Sequence, residues 1–242
     1  EHCLVVLTLA SESDAFSKET AYIRQSLTEA LQISARQERV LTPTLENEIS
    51  AIVTHRLFKN VDRQAAQIIF KTYAQYYSSL FDKNVDLPQR CLRAEYQKEF
   101  AESYPFHPEL LATLNRKTAT IPNFNQTRGA LRLLAWTVRS LWKEHTPNTW
   151  MIHLHNIDLS TPQIAEDLTG RLDRPKFKQV IEADIASVMS GMPAHAQTID
   201  AALITSGKPP FACRTATAIF INSLTQGIAS GVDPSDLLLA VI

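Results

Sequence analysis

Apolar positions along this chain recur mostly at three- and four-residue steps, the spacing that places side chains on one face of an α-helix. From Ser17 to about Gln37 the step is carried by Ile23, Leu27, Ala30 and Leu31. Thr44 precedes a second run, and Glu46 and Glu48 suit the positive end of a helix. Ile49, Ile52, Val53, Leu57 and Phe58 form its apolar face. Asp62 caps a third helix to about Phe81, with Ala65, Ile68, Ile69, Tyr73 and Tyr76 predicted inward. Asp86-Leu87-Pro88 breaks the pattern, and a helix of roughly 89–103 follows. Pro108 suits the first position of the next helix, whose core is Leu110, Leu111 and Leu114. Ile121 to Asn125 reads as a loop. Asn125 or Thr127 then caps a long helix that ends near Glu144. Further helices are predicted from Pro162, from Pro175 to Met189, within Met192–Ser206, from Pro210 to Thr225, and from Pro234.

The exceptions to the helical step are short. Cys3–Ala10 is a Val- and Leu-rich run that ends in Ser11-Glu12-Ser13-Asp14, the pattern of a buried strand leading into a loop. Arg39–Pro43 is extended, because Thr42 precedes a proline. Trp150–Asp158 alternates enough to be a strand or an extended arm. The expectation is a mainly α chain, with about nine or ten helices and two or three short strands. No fixed-period repeat and no low-complexity segment is present.

Composition narrows the functional classes. The 242 residues are 45% hydrophobic and 20% charged, which are globular values. With 6 Gly against 12 Pro, Gly-rich phosphate loops are disfavoured. A net charge of -1 gives no bulk attraction to nucleic acid or to an anionic membrane. Cys3, Cys91 and Cys213 are odd in number and contain no CxxC, so they read as free thiols in a reducing, cytoplasmic compartment. No apolar run reaches the ~18 residues a membrane span needs, and no signal peptide is visible. The chain starts at Glu1 without Met and stops in an apolar run, so a piece of a longer protein is expected.

A phosphate-binding P-loop is the first motif to test. The only Gly-Lys is Gly207-Lys208. Ala202 stands where the leading glycine belongs, and Pro209 where the closing hydroxyl belongs. No apolar strand ends in Asp-Glu. The chain is therefore not expected to hydrolyse a nucleotide by itself. The helix after Thr127 offers different chemistry. At about 100° per residue, Arg128, Arg132, Arg139 and Lys143 fall within about 60° of one another. Leu131, Leu134, Val138, Leu141 and Trp142 occupy another face. The basic edge is either a solvated surface or, through Arg128 in the first turn, a contact to polyphosphate at the positive helix end.

The order of parts resembles the second half of an AAA+ ATPase. Arg39-Val-Leu-Thr-Pro-Thr-Leu-Glu-Asn-Glu-Ile, through His55-Arg-Leu-Phe, is similar to the segment that joins core to lid. Thr127-Arg-Gly-Ala-Leu-Arg-Leu-Leu looks like the lid helix that carries the second sensor arginine. Tyr104-Pro-Phe-His-Pro-Glu-Leu-Leu, Ile157-Asp-Leu-Ser, Ile181-Glu-Ala-Asp-Ile-Ala and Ala216-Thr-Ala-Ile-Phe resemble a family of large prokaryotic ATPases, some of which sit beside phage-defence genes.

The resemblance implies a helical lid-type bundle, with the short strands left from a truncated α/β nucleotide-binding core. Residues 1–43 would end that core, 44–148 would form the lid, and 149–242 a further helical region. Ser11 would be the first sensor, with Thr8 and Ser13 as further candidates. Arg36 or Arg39 would be an arginine finger reaching a neighbouring subunit's γ-phosphate. Arg128 would be the second sensor, with Arg132 beside it on the nucleotide. ATP and Mg2+ would belong to the intact protein and not to this piece. Its partners would be a nucleic acid or a protein complex, with homo-oligomerisation and no membrane. The rival expectation is a non-catalytic helical module for protein interaction or DNA binding.

Other candidate groups read more plainly. His107, between Phe106 and Pro108, is a packed or capping histidine with no nucleophile near it in sequence. His153-x-His155 with Asp158 could offer two metal ligands on a strand face. No cysteine or third histidine is close in sequence, so no metal is expected. Glu182 and Asp184 lie two apart on a helix and do not face each other. Trp136, Trp142 and Trp150 read as core.

Overall fold

The computed structural model describes residues 49–118, 126–144, 149–170, 176–188, 191–224 and 231–242. These lie in a compact unit running from Thr44 to Ile242. The described residues are mainly helical. The helices are α1 (Ile49–Leu57), α2 (Arg63–Asp82), α3 (Ala94–Ser103), α4 (Pro108–Thr118), α5 (Gln126–Glu144), α6 (Pro162–Gly170), α7 (Lys176–Val180), α8 (His195–Thr205), α9 (Phe211–Ser223) and α10 (Pro234–Val241). Among the described residues no helix is long and apolar enough to cross a membrane. The predicted strands at Cys3–Ala10 and Arg39–Pro43 lie outside the described residues.

Local chemistry sets the boundaries. The Asp62 carboxylate accepts from the N–H groups of Gln64 and Ala65 and opens α2. Asn84, with φ of 57°, turns the chain out beyond its end. Asp233 caps α10, with Pro234 at its first position. The predicted helix of 89–103 divides. Gln89–Leu92 is a 3-10 turn, and α3 begins only at Ala94. The predicted 175–189 helix is likewise short. After α7 the chain widens to a π-turn at Ile181–Ile185, closed by the Ala186 N–H donating to the Ile181 carbonyl at 2.8 Å.

Trp150–Asp158 is not a strand. One parallel bridge joins Phe106 to Ile152. The Ile152 N–H donates to the Pro105 carbonyl, and the His107 N–H to the Ile152 carbonyl, both at 2.9 Å. Pairing stops there because the Asn156 side chain accepts the His153 N–H at 2.7 Å and draws Leu154–Asn156 into a 3-10 turn.

This short bridge divides the interior. Successive residues of extended backbone point to opposite sides. Phe106 and Ile152 enter an aliphatic cluster with Leu110, Leu114, Leu133, Leu134, Ile164, Leu168 and Ile221. Met151 enters a second cluster, in which Ile69, Tyr77, Leu87, Tyr96, Phe100 and Leu239 are buried. The aliphatic cluster includes side chains from Val53 to Val241, so it runs across the 148/149 division drawn from sequence.

Four inward assignments are corrected. Ile68 and Tyr76 are exposed, while Ile69 and Tyr77 are buried, so the buried face of α2 is rotated by one residue. Trp142 and Trp150 are 77% and 64% exposed and are not core. Trp136 does pack against the aliphatic cluster.

Candidate functional site

The sequence places its chemistry at the start of α5, and the packing explains how that helix is held. Gly129 and Ala130 are buried, so small side chains let the first turns approach their neighbours. Leu133 and Leu134 are fully buried in the aliphatic cluster. Arg132 Nε donates to Asp167 Oδ2 of α6 at 2.5 Å, and its Nη2 is buried with no hydrogen-bond partner. Arg128 is the third residue of α5, in its first turn. Its side chain lies outside the described residues, as do Thr8, Ser11, Ser13, Arg36 and Arg39. Along the basic edge, the Arg139 guanidinium lies 5.4 Å from the Trp136 ring centre. The edge is therefore not uniform. Arg132 is held by a carboxylate, whereas Arg139 rests on an aromatic face.

A second constellation was not foreseen. His107 and His153, far apart in sequence, stack with ring centres 4.4 Å apart, and His153 stacks on His155 at 5.0 Å. The bridge at Phe106 and Ile152 sets the first contact, since the residue after each points to the same side. Two tyrosines of α2, one turn apart, complete the group. Tyr73 Oη lies 2.7 Å from His153 Nε2, and Tyr77 Oη lies 2.9 Å from His107 Nε2. His107 Nδ1 accepts the Glu109 N–H at 3.3 Å. That assigns its proton to Nε2, which donates to Tyr77.

Burial governs the titration of these groups. It pushes His107 and His155 down to about 3, with His155 lowering His107 further and Arg214 lowering His155. Burial, then the neighbouring histidines, hold His153 well below the ordinary imidazole range. Burial raises Tyr73 to about 12 and raises Tyr77 as well. At neutral pH the five rings are uncharged. They tie α2, the start of α4 and the 151–156 segment together.

The stack does not have the arrangement of a metal centre. Rings stacked within 20° of parallel present faces to one another, and their lone pairs do not converge. No group of three His, Cys, Asp or Glu among the described residues could hold a metal ion. Asp158 is occupied in turning the chain, accepting from the Ser160 N–H and from the Ser160 and Thr161 hydroxyls. Glu182 accepts the Val188 N–H, and Asp184 pairs with His195 at 2.9 Å, so these carboxylates serve separate contacts.

One ionic knot joins the Gln89–Leu92 turn to α4 and α10. Arg90 donates to Glu109 of α4 at 3.0 Å and to Asp236 of α10 at 2.6 Å. Burial opposes its charge, but the two carboxylates outweigh burial and hold the guanidinium above its ordinary range. The signals for the histidine stack were present as His-x-His and as Tyr73 and Tyr77 one turn apart. Nothing in the sequence brought His107 to them.

The sequence model of the DUF499 second domain matches residues 44–229, more than half of the chain. The match starts at Thr44, where the compact unit starts. No curated protein and no solved structure matches. The chain therefore belongs to the DUF499 second-domain family.

Proposed function

We propose that this domain is the lid of an AAA+-type ATPase, sensing bound ATP through Arg128 and passing hydrolysis on as a movement of the helical unit. The observation that carries this reading is the start of α5. A cation sits in the first turn of a 19-residue helix, where free N–H groups and the helix dipole already favour an anion. The same helix is anchored by Leu133, Leu134 and the Arg132–Asp167 pair, so force at its first turn reaches the aliphatic core. Arg132 serves here by fixing α5 to α6.

The phosphate cradle has to come from another part of the protein. Gly207 has φ of 74° and lies just beyond the C-terminal end of α8, so its N–H does not belong to a helix N-terminus. When ATP and Mg2+ are bound, they supply the phosphoryl chemistry. This domain's own contribution is a cation in the first turn of α5 and a helical unit to move. The moved partner is a nucleic acid or a protein.

The test is nucleotide affinity and turnover of the intact protein carrying Arg128→Ala. Loss of one charge-assisted contact weakens ATP by on the order of tenfold. Unchanged affinity and rate remove the sensor role.

One observation favours the rival reading of a binding module. Trp142 is exposed at the C-terminal half of α5, beside Lys143 and Leu57, with Arg139 near by. Cations next to a free aromatic face suit single-stranded nucleic acid. No gel shift at low salt removes it.

A further inference from the structure

A groove of about 410 Å³ runs between the last turn of α1 and the C-terminal half of α5. One wall is a stripe of α5. Ala135, Val138, Arg139, Trp142 and Lys143 recur at three- and four-residue steps and share one face of the helix. Leu57 of α1 forms the other wall. Leu57 and Val138 also pack against the aliphatic cluster, which fixes the floor of the groove before anything enters it.

Trp142 is mostly in solvent, and among the described residues no other large hydrophobic side chain is as exposed. It stands beside Leu57, Ala135 and Val138. An indole next to aliphatic side chains, with an arginine at its edge, is the composition that carries most of the energy at the centre of protein interfaces.

The charge around the groove is of one sign. Arg139 and Lys143 are exposed, and neither makes an ion pair among the described residues. The Arg139 guanidinium is steadied by the Trp136 ring, which occupies its face and leaves its N–H edge for a partner. The lining holds no carboxylate. Glu144, the one acid of α5, accepts the Ser140 hydroxyl at 3.2 Å, away from the stripe. Arg56, one residue before Leu57, adds a further exposed cation.

That combination selects among occupants. A second copy docked by the same face would set Arg139 and Lys143 against their own counterparts. A nucleic-acid strand would use the exposed ring and the cations but not Leu57, Ala135 and Val138. A peptide with a large apolar side chain between carboxylates suits both the floor and the rim.

We propose that this groove docks an acidic peptide segment of a partner protein. One large apolar side chain of the segment sits on Leu57, Val138 and Trp142, and its carboxylates meet Arg139 and Lys143. The proposal rests on the binding-module reading and names its partner; it does not require the Arg128 contact.

Fluorescence anisotropy of the full 242-residue chain with a fluorescein-labelled synthetic peptide tests this. The peptide carries Leu and Phe one helical turn apart, with Glu on both sides. Its counterparts replace Glu by Lys, or Leu and Phe by Ala, and labelled oligothymidylate is the nucleic-acid arm. The expected result is saturable binding of the acidic peptide with a dissociation constant below about 100 μM, and both counterparts weaker by about tenfold. Trp142→Ala and Lys143→Glu should each weaken the acidic peptide by about tenfold, and Lys143→Glu should strengthen the Lys peptide. Both side chains are exposed, so the fold survives their replacement. Arg128→Ala should change nothing. Absence of saturable binding overturns the proposal, as does binding that survives Trp142→Ala and Lys143→Glu, that is lost with Arg128→Ala, or that the Lys peptide matches. Oligothymidylate binding without peptide binding overturns the peptide partner and keeps the binding module, whereas binding of neither removes both.

Discussion

Phe106 and His107 are neighbours in sequence but serve different halves of the interior. Phe106 enters a cluster of leucines and isoleucines, where shape and area are all that matter. His107 enters a stack of imidazoles beside tyrosines and Phe100, where hydrogen bonds from tyrosine hydroxyls join the packing, although the Nδ1 atoms of His153 and His155 are buried without a partner. The side chains of the first cluster do not titrate. The second is held by groups that must stay uncharged. The contrast teaches that one hydrophobic interior can hold a part indifferent to pH and a part governed by it.

Acidification should expose the difference most strongly. His107 and His155 have an ordinary value of 6.5 and are lowered to about 3 by folding. Between those values the unfolded chain takes up protons and the folded chain does not. Stability is therefore fully present above pH 6.5 and is lost as pH falls toward 3. The slope is about 1.4 kcal/mol per pH unit for each histidine. Denaturant midpoints measured from pH 7 to pH 4.5 should fall steadily, and His107→Asn should flatten the slope. A constant midpoint would mean the imidazoles are not buried as described.

Truncation of the aliphatic half comes next in size. Leu133→Ala removes a fully buried side chain and should cost about 3 kcal/mol, by the same amount at pH 7 and pH 5.5. Denaturant melts at the two pH values check this, and a pH-dependent cost would couple the two halves. Tyr77→Phe keeps the ring and removes only the hydroxyl that His107 meets. It should cost about 1–3 kcal/mol, because the imidazole N–H is left buried without an acceptor. A neutral result would show that another acceptor takes its place. Trp142→Ala should be the smallest, within about 0.5 kcal/mol, since the ring is mostly in solvent. A larger loss of melting stability would mean something covers it.

The same contrast divides what could be read in advance. Leu110, Leu114, Leu133 and Leu134 recur at helical spacing, and the structure buries all four. Asp62, Pro108 and Pro234 open helices where their chemistry requires. The candidate site was legible only in outline. Arg128 falls in the first turn of a helix, as its spacing implies, but the carboxylate that takes Arg132 comes from a helix elsewhere in the chain. Trp142 sits on the apolar arc of α5 by angle, yet it remains exposed. Periodicity fixes which side chains share a face and says nothing about what covers that face.

The order of chain elements, their helical character and the buried leucine positions were determined by local physics. Spacing, capping residues and prolines act within a few residues of themselves. The histidine stack, the Arg90 knot and the groove beside Trp142 were decided only by tertiary structure. Each depends on which distant segments meet, and the meeting is set by packing over the whole interior. His153-x-His155 reads in sequence as a pair without a third histidine. The two hydrogen bonds that bridge Phe106 to Ile152 bring His107 beside it, as a stacked ring and not as a ligand.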